Sequence, residues 1–354
     1  MPTIASAHGT EHANHRTTTR NDAVSTPRQD RDRYVALSGG VGGAKLSLGL
    51  AQLLGERLTV IVNTGDDFEH LGLHISPDVD TALYTLAGVV NPETGWGRRD
   101  ETWTFMAALQ GLGGPGWFKL GDADLATHVE RTRRLRSGET LTSITAHLAQ
   151  SFGAKSRILP MCDEPLRTVV ETDQGSLAFQ DYFVREQCRP IVRAIRFEGA
   201  QAAKPSPQVH AALADPELAG VIICPSNPWL SVDPILAIPG LREAIRASGA
   251  PVIAVSPIIA GKAVKGPTAK IMRELNLEPS TVSIARHYAG LIDGFLIDSE
   301  DHELADAIKV PVRGAHTLMQ SLEDKVGLAR ECLDFCAALD PARGRAARTT
   351  GLAS

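Results

Sequence analysis

The stretch from Tyr34 to Asn63 constrains this chain more than any other part. A short apolar run, Tyr34-Val-Ala-Leu37, gives way at once to Ser38-Gly-Gly-Val-Gly-Gly-Ala-Lys45. Apolar residues then recur at helical spacing through Leu46, Leu50, Leu53 and Leu54, and Leu58-Thr-Val-Ile-Val-Asn63 is a second buried-strand candidate. Strand, glycine turn, helix and strand in that order open a doubly wound α/β sheet. The predicted fold is α/β, with a mostly parallel, Rossmann-like sheet.

The remaining pattern extends that sheet. Gly220-Val-Ile-Ile-Cys224, Pro251-Val-Ile-Ala-Val255 and Gly294-Phe-Leu-Ile-Asp298 read as further strands, with weaker candidates at Arg157–Leu159, Arg167–Glu171, Leu177–Phe179 and Ile191–Phe197. Thr102–Leu112, Asp124–Arg136 and Leu141–Phe152 read as helices of an insertion over about residues 95–152 that would cover one side of a cleft. Leu241–Ser248, a helix running through Leu275 and a closing helix Ser321–Leu339 follow. One α/β domain is expected over residues 34–340. Residues 1–33, poor in large apolar side chains, are expected to be a disordered extension, and 341–354 a loose tail.

Composition narrows the function classes. With 354 residues, 43% hydrophobic and 22% charged, the chain can bury a sizeable core. A net charge of −5 without a long basic run disfavours nucleic acid as a partner. The chain has no apolar run long enough to span a bilayer and no hydrophobic signal core near its start, so no membrane role and a cytoplasmic location are expected. The five cysteines (Cys162, Cys188, Cys224, Cys332 and Cys336) include no CxxC pair, which fits a reducing compartment. Cys332 and Cys336 share a helical face, and core packing is the stronger reading for them.

Four loops that follow strands carry the chemistry. In open parallel sheets, ligands bind beyond the carboxyl ends of the strands, so distant loops can share a site. Gly39, Gly40, Gly42, Gly43 and Lys45 suit an anion: glycines let backbone N–H groups approach it, and a helix N-terminus and an ammonium add positive charge. The segment is neither a Walker loop nor a complete dinucleotide fingerprint, and a structural tight turn is the alternative. Asn63-Thr-Gly-Asp-Asp-Phe68 and Ile75-Ser-Pro-Asp-Val-Asp-Thr81 bring four carboxylates, Asp66, Asp67, Asp78 and Asp80, into a short span. Hard oxygen ligands suit Mg, held by at least two of them. A helix cap would explain Asp78 or Asp80 alone. Ser226, Asn227 and Ser231 offer donors to phosphate or ribose, or mark an ordinary turn. Ser256, Gly261, Lys262, Lys265 and Gly266 form a second possible anion cradle, or a loop of solvated lysines. His70 and His74 flank the acidic segment and read as polar lining. Together these residues describe a metal-assisted site for a phosphorylated nucleotide.

The five segments Ser38–Lys45, Asn63–Leu73, Ile75–Thr81, Pro225–Ser231 and Ser256–Pro267, in this order, resemble the 2-phospho-L-lactate transferases of coenzyme F420 biosynthesis (CofD, or FbiA in actinobacteria). The resemblance runs from about Tyr34 to Leu339. It implies a guanosine diphosphate-linked donor carrying lactate, enolpyruvate or a related acid. It also implies the deazaflavin alcohol Fo as acceptor, Mg as cofactor and release of GMP. Carried over by motif, Gly39–Lys45, Asn63, Ser226–Ser231 and the Ser256–Thr268 loop hold the donor. Asp67 and Asp80 are the expected catalytic carboxylates. Lys119, in Lys119-Leu-Gly-Asp122, touches the acceptor together with Asp80, against the alternative of a solvated lysine before a helix capped by Asp122 or Asp124. A homodimer is expected from the resemblance alone. A non-catalytic nucleotide-sugar-binding regulator of a related family and a Rossmann dehydrogenase are the rival readings. The Ile75–Thr81 segment favours the transferase over the first, and the broken fingerprint disfavours the second.

Overall fold

The structure, a computed structural model, describes residues 31–263 and 266–340. Residues 1–30 of the extension read from the sequence, the tail and Lys265 lie outside the described residues, whereas Arg33, read as the end of that extension, opens the first strand. All elements below belong to the unit that begins at Asp32.

Strand β1 (Arg33–Ser38) runs into helix α1 (Gly40–Leu54), and β2 (Leu58–Val62) is followed by the hairpin β3 (Phe68–His70) and β4 (Leu73–Ile75). Helix α2 (Pro77–Leu86) precedes three helices, α3 (Thr104–Gly111), α4 (Asp122–Arg136) and α5 (Leu141–Phe152). Then come β5 (Arg157–Pro160), β6 (Arg167–Thr172), β7 (Gly175–Ala178) and β8 (Val192–Glu198), followed by α6 (Pro207–Leu213) and β9 (Leu218–Ile223). Helices α7 (Asp233–Leu236) and α8 (Leu241–Ala247) lead to β10 (Val252–Val255) and a small hairpin, β11 (Ile258–Ile259) and β12 (Lys262–Ala263). Helices α9 (Thr268–Glu274) and α10 (Thr281–His287), strands β13 (Gly294–Asp298) and β14 (Val312–Ala315), and helix α11 (Leu322–Leu339) complete the chain.

Seven strands form the central sheet in the order β14-β13-β10-β9-β1-β2-β5, and every pairing is parallel. From β1 the sheet grows outward through β2 and β5, then restarts on the other side with β9 and continues to β14. The order therefore reverses between β1 and β9. At such a point the connections leave to opposite faces and a crevice opens at the strand ends.

Both faces of the sheet are covered, as period-2 alternation along each strand requires. In β1, Val35 and Leu37 join one core while Tyr34 and Ala36 join the other. Leu46 and Leu50 of α1 and Leu328, Cys332 and Cys336 of α11 fill the second core, where the two cysteines pack as read from the sequence. Gly49 permits that approach, since a Cβ there would lie 2.0 Å from the Lys325 carbonyl oxygen.

The structure differs from the sequence expectation in two respects. The candidates at 167–171, 177–179 and 191–197 do form strands, but they build a separate antiparallel sheet, β7-β6-β8. Strand β14 was not anticipated: Val312-Arg-Gly-Ala315 is short and mostly small or charged, and pairing with β13 extends it.

Candidate active site at the sheet's switch point

The ends of β1 and β9 are locked together by their loops. Gly39 N–H donates to Ser226 Oγ at 3.3 Å, and the Ser226 hydroxyl donates to Gly39 O at 2.8 Å. A Cβ on Gly42 would sit 2.4 Å from the Pro225 carbonyl oxygen, and one on Gly43 would sit 2.5 Å from Ser38 Oγ and 2.6 Å from Ser226 Oγ. The glycine run is therefore the close-packed first turn of α1, with Gly40 at a φ of 61° that a side chain would resist. This brings Gly39, Gly40, Gly42, Gly43, Ser226 and Ser231 to one place. Ser231 is buried against Gly39, whose added Cβ would be 2.5 Å from its own.

The acidic segment joins the same place. Asp78 accepts from Gly40 N–H at 2.8 Å and from Asn63 Nδ2 at 3.0 Å. Asn63 also reaches Leu230 O at 3.4 Å and accepts from Gly65 N–H at 2.7 Å. One buried amide thus ties the end of β2 to α2 and the turn Pro228–Val232. Asp67 accepts from Ser76 Oγ at 2.7 Å and pairs with His74 Nε2 at 3.1 Å. Ser76 is the N-cap position of α2, with Pro77 after it, so Asp78 and Asp80 lie inside the first turn and neither caps the helix.

Asp66, Asp67 and Asp78 are all buried, and Asp66 Oδ1 and Asp67 Oδ1 have no hydrogen-bond partner among the described residues. Burial pushes Asp78 up to about 6, against the opposing hydrogen bonds from Asn63 and Gly40. Burial and then the nearby Asp78 push Asp66 well above the ordinary carboxylate range. Crowded carboxylates with orphaned oxygens and raised proton affinity lack a counter-charge, and an oxygen-seeking divalent cation supplies one. The donor set fits Mg.

Asp80 departs from the expected ligand set. Its two oxygens are held by the guanidinium of Arg131 on α4, one at 3.0 Å and the other closer. His128 Nδ1 stands 3.6 Å away, and His128 Nε2 lies 3.2 Å from Asp124, which accepts from the Tyr84 hydroxyl at 2.7 Å. Asp80, Asp124 and His128 would satisfy the spacing of a metal group. With Arg131 completely buried among them, however, the cationic position is already filled. The Arg131 guanidinium on both its oxygens sets Asp80 apart from Asp66, Asp67 and Asp78, the other carboxylates expected to hold the metal.

Other expected residues have local duties. Lys45 sits in the second turn of α1, and its Nζ donates to Met319 O at 2.7 Å. Asn227 accepts from Trp229 and Leu230 N–H, and its Nδ2 donates to Thr268 at 3.1 Å, which ties the β9 loop to α9. The Ser256 hydroxyl is engaged with Ile258. Gly261 and Gly266 hold positive φ on either side of the undescribed Lys265. Lys119 is exposed beside a small cavity shared with Trp96, Trp103 and Asp124. Neither Asp122 nor Asp124 caps α4. Asp122 accepts from Thr104 and Phe105 N–H at the start of α3, while Glu101 accepts from Ala123 and Asp124 N–H at the start of α4. Arg131, His128 and Asp124 were missed by the sequence reading. The signal available was their spacing of four and then three residues, which puts all three on one helix face.

The family model described as 2-phospho-L-lactate transferase CofD matches residues 34–323. A phosphoenolpyruvate transferase of Streptomyces griseus is 41% identical over 313 residues, covering 86% of this chain and 98% of the relative. One from Mycobacterium avium is 39% identical over 319 residues, covering 81% and 94%. Among solved structures, a UPF0052 family protein of Bacillus halodurans superposes with a TM-score of 0.57 at 15% identity, over 85% of this chain and 98% of that one. That last likeness is one of fold.

Proposed function

The chain belongs to the 2-phospho-L-lactate transferase CofD family, and from that membership and the switch-point geometry we propose that it moves a phospho-acid from a guanosine diphosphate-linked donor to the ribityl hydroxyl of the deazaflavin Fo. The relatives' name favours phosphoenolpyruvate as the acid transferred. The family match supports this reading over the regulator and the dehydrogenase.

The observation that carries the proposal is the convergence of glycine loop, acidic segment and β9 loop on Asp78 and Ser226. The α1 start and Ser226–Ser231 hold the donor diphosphate. Asp66 and Asp78 would hold Mg, with Asp67 beside them. When bound, the cation would neutralise diphosphate oxygens and acidify the hydroxyl. The acceptor oxygen bonds to the phosphorus nearer the acid, and the bond from that phosphorus to the bridging oxygen breaks. GMP departs with that electron pair. The hydroxyl proton passes to Asp67, whose Oδ1 is unpartnered among the described residues, and on to His74, whose side chain is 24% exposed. Lys119 remains a proposed acceptor contact at the rim, and the Arg131–Asp80 pair holds the acidic segment against α4.

The test is to combine Fo, donor and Mg with the full chain and to measure GMP. GMP formed in step with Fo consumption supports the reading. Donor hydrolysis without a deazaflavin product, or no GMP at all, rejects it.

A further inference from the structure

The turn at the tip of the β11–β12 hairpin is built from residues that do not favour it. Ile259 pairs with Lys262, so Ala260 and Gly261 are the two turn residues, and both hold positive φ, 46° and 70°. A two-residue hairpin turn of that hand takes Asn-Gly or Gly-Gly by preference, because an L side chain disfavours left-handed backbone. Ala260 is exposed and has no polar side-chain atom to offset this. We propose that Asp301, distant in sequence from every donor loop, is a positioning residue for the donor nucleotide: it holds Ala260 in the left-handed turn and so fixes the hairpin beside the β9 loop. The proposal rests on the transferase reading above.

Three observations carry it. The first is the grip on the turn. Asp301 lies in the short helix Ser299–Ala307 after β13 and is buried. Both of its carboxylate oxygens accept from Ala260 N–H, at 3.1 and 3.3 Å. A tertiary contact thus supplies what the turn sequence itself lacks.

The second is the rest of its surroundings. The Thr281 hydroxyl donates to Asp301 Oδ2 at 3.0 Å and lies 3.4 Å from Ser256 Oγ. The Ser256 hydroxyl donates to Ile258 O at 2.9 Å and accepts from Ile258 N–H at 3.2 Å. One chain of contacts therefore runs from Asp301 through the start of α10 to the end of β10, and the hairpin is held at its base as well as its tip. The Asp301 partners are an amide and a hydroxyl, neither of them a cation. A carboxylate buried in that way contributes little net stability. What it supplies is the shape of the turn.

The third is location. Strand β10 lies next to β9 in the sheet, so Ser256 ends one strand beside the loop Pro225–Ser231. Asn227 of that loop bonds to Thr268 at 3.1 Å, at the far end of the connection that Ser256 begins. The connection is thus fastened to the β9 loop at one end and to Asp301 at the other, and the hairpin between them carries the exposed Lys262. Fixed there, it offers backbone N–H groups and an ammonium to an anionic nucleotide. Released, it would hold that arrangement for only part of the time, and affinity would fall by the fraction lost.

The test titrates the full chain calorimetrically with GDP plus Mg and, separately, with Fo, and measures donor KM and kcat by GMP release. Asp301→Ala should weaken GDP binding and raise the donor KM by about tenfold, with kcat within about threefold and Fo affinity within about twofold. Asp301→Asn keeps an acceptor for Ala260 N–H and should bind GDP within about threefold of the unsubstituted protein. Adding Ala260→Gly to Asp301→Ala should recover most of the loss, because glycine enters the turn unaided. A carboxylate that served only the packing of its own helix would not be rescued from the exposed tip. Ala260→Val, which left-handed backbone rejects, should reproduce the GDP loss with an unchanged melting curve, and it decides the matter should Asp301→Ala not fold. GDP affinity within about twofold of normal in either variant overturns the proposal while the transferase reading stands. A loss that Ala260→Gly leaves in place, or an equal loss for GDP and Fo, overturns it too. If the unsubstituted protein binds no GDP, the donor reading itself falls and takes this one with it.

Discussion

Arg131 closes on both carboxylate oxygens of Asp80, and neither residue is appreciably exposed. The pair crosses from α4 to α2 and pins the helical segment to the acidic one. A buried ion pair is strongly destabilising when one partner alone is removed, because the other charge is left without compensation. Arg131→Met and Asp80→Asn should each cost about 3–5 kcal/mol in urea unfolding. The double variant should cost much less than their sum. A helix cap at Asp80 would instead cost about 1 kcal/mol and show no coupling to Arg131. Additive losses in the cycle would reject the pairing.

Glycine at position 42 answers to a contact, not to helix propensity. Gly42→Ala should destabilise the fold and weaken GDP binding, since its Cβ would meet the Pro225 carbonyl oxygen. Gly327 in α11 is the control. Nothing lies within 4 Å of a Cβ there, so Gly327→Ala should stabilise by about 0.5–1 kcal/mol. Melting curves and GDP titrations of both variants check this. A stabilised Gly42→Ala with normal affinity would show the two loops are not pressed together.

The legible part of the fold is the part that local chemistry specifies. Leu141–Phe152 was found to the residue because its apolar spacing is regular and Thr140 caps it. The strands that meet at the switch point were legible as unbroken β-branched and aliphatic runs, and glycine and asparagine at their ends marked the site. Three things depend on partners that no local pattern shows. Strand β14 exists because β13 offers an edge. The strands β6 to β8 have ordinary alternation, which does not say which sheet they join. On α4, Arg131 stands in a run of charged residues, yet it is completely buried because Asp80 compensates it. The four nearby aspartates likewise look alike in sequence until their partners are known.

Stability should depend on pH and cation together. Asp78 moves from an ordinary 3.8 to about 6, chiefly through burial. The folded state thus favours its protonated form. The stability it contributes is full below about pH 3.8 and is lost as pH rises through about 6, by roughly 3 kcal/mol at most. Asp66, raised for the same first reason, acts in the same direction. In chelator, Tm should fall from pH 4 to pH 7 more steeply in the native protein than in Asp78→Asn. Mg should restore it at pH 7 and do little at pH 4, where protons occupy the carboxylates. Equal Mg effects at both pH values would separate the cluster from cation binding.

Asp67→Asn should abolish transfer while the donor nucleotide still binds. The substitution is isosteric. The Ser76 hydroxyl can still donate to the amide oxygen, so the segment between β2 and α2 keeps its shape. Asp78, Asn63 and Ser226, which join the glycine loop to its neighbours, are untouched. What is lost is a negative charge and a proton acceptor beside the attacking hydroxyl. General-base contributions are typically about 10²–10⁴-fold, so kcat should fall by at least about a hundredfold, with GDP affinity within about threefold. His74→Gln, which removes only the exit for the proton, should cost less and should be partly relieved as pH rises, when hydroxide in solvent takes over. GMP release, GDP titration and a melting curve for each variant make the comparison. Near-normal kcat in Asp67→Asn would assign Asp67 to holding Ser76 and His74 in place and move the proton acceptor elsewhere in the cluster.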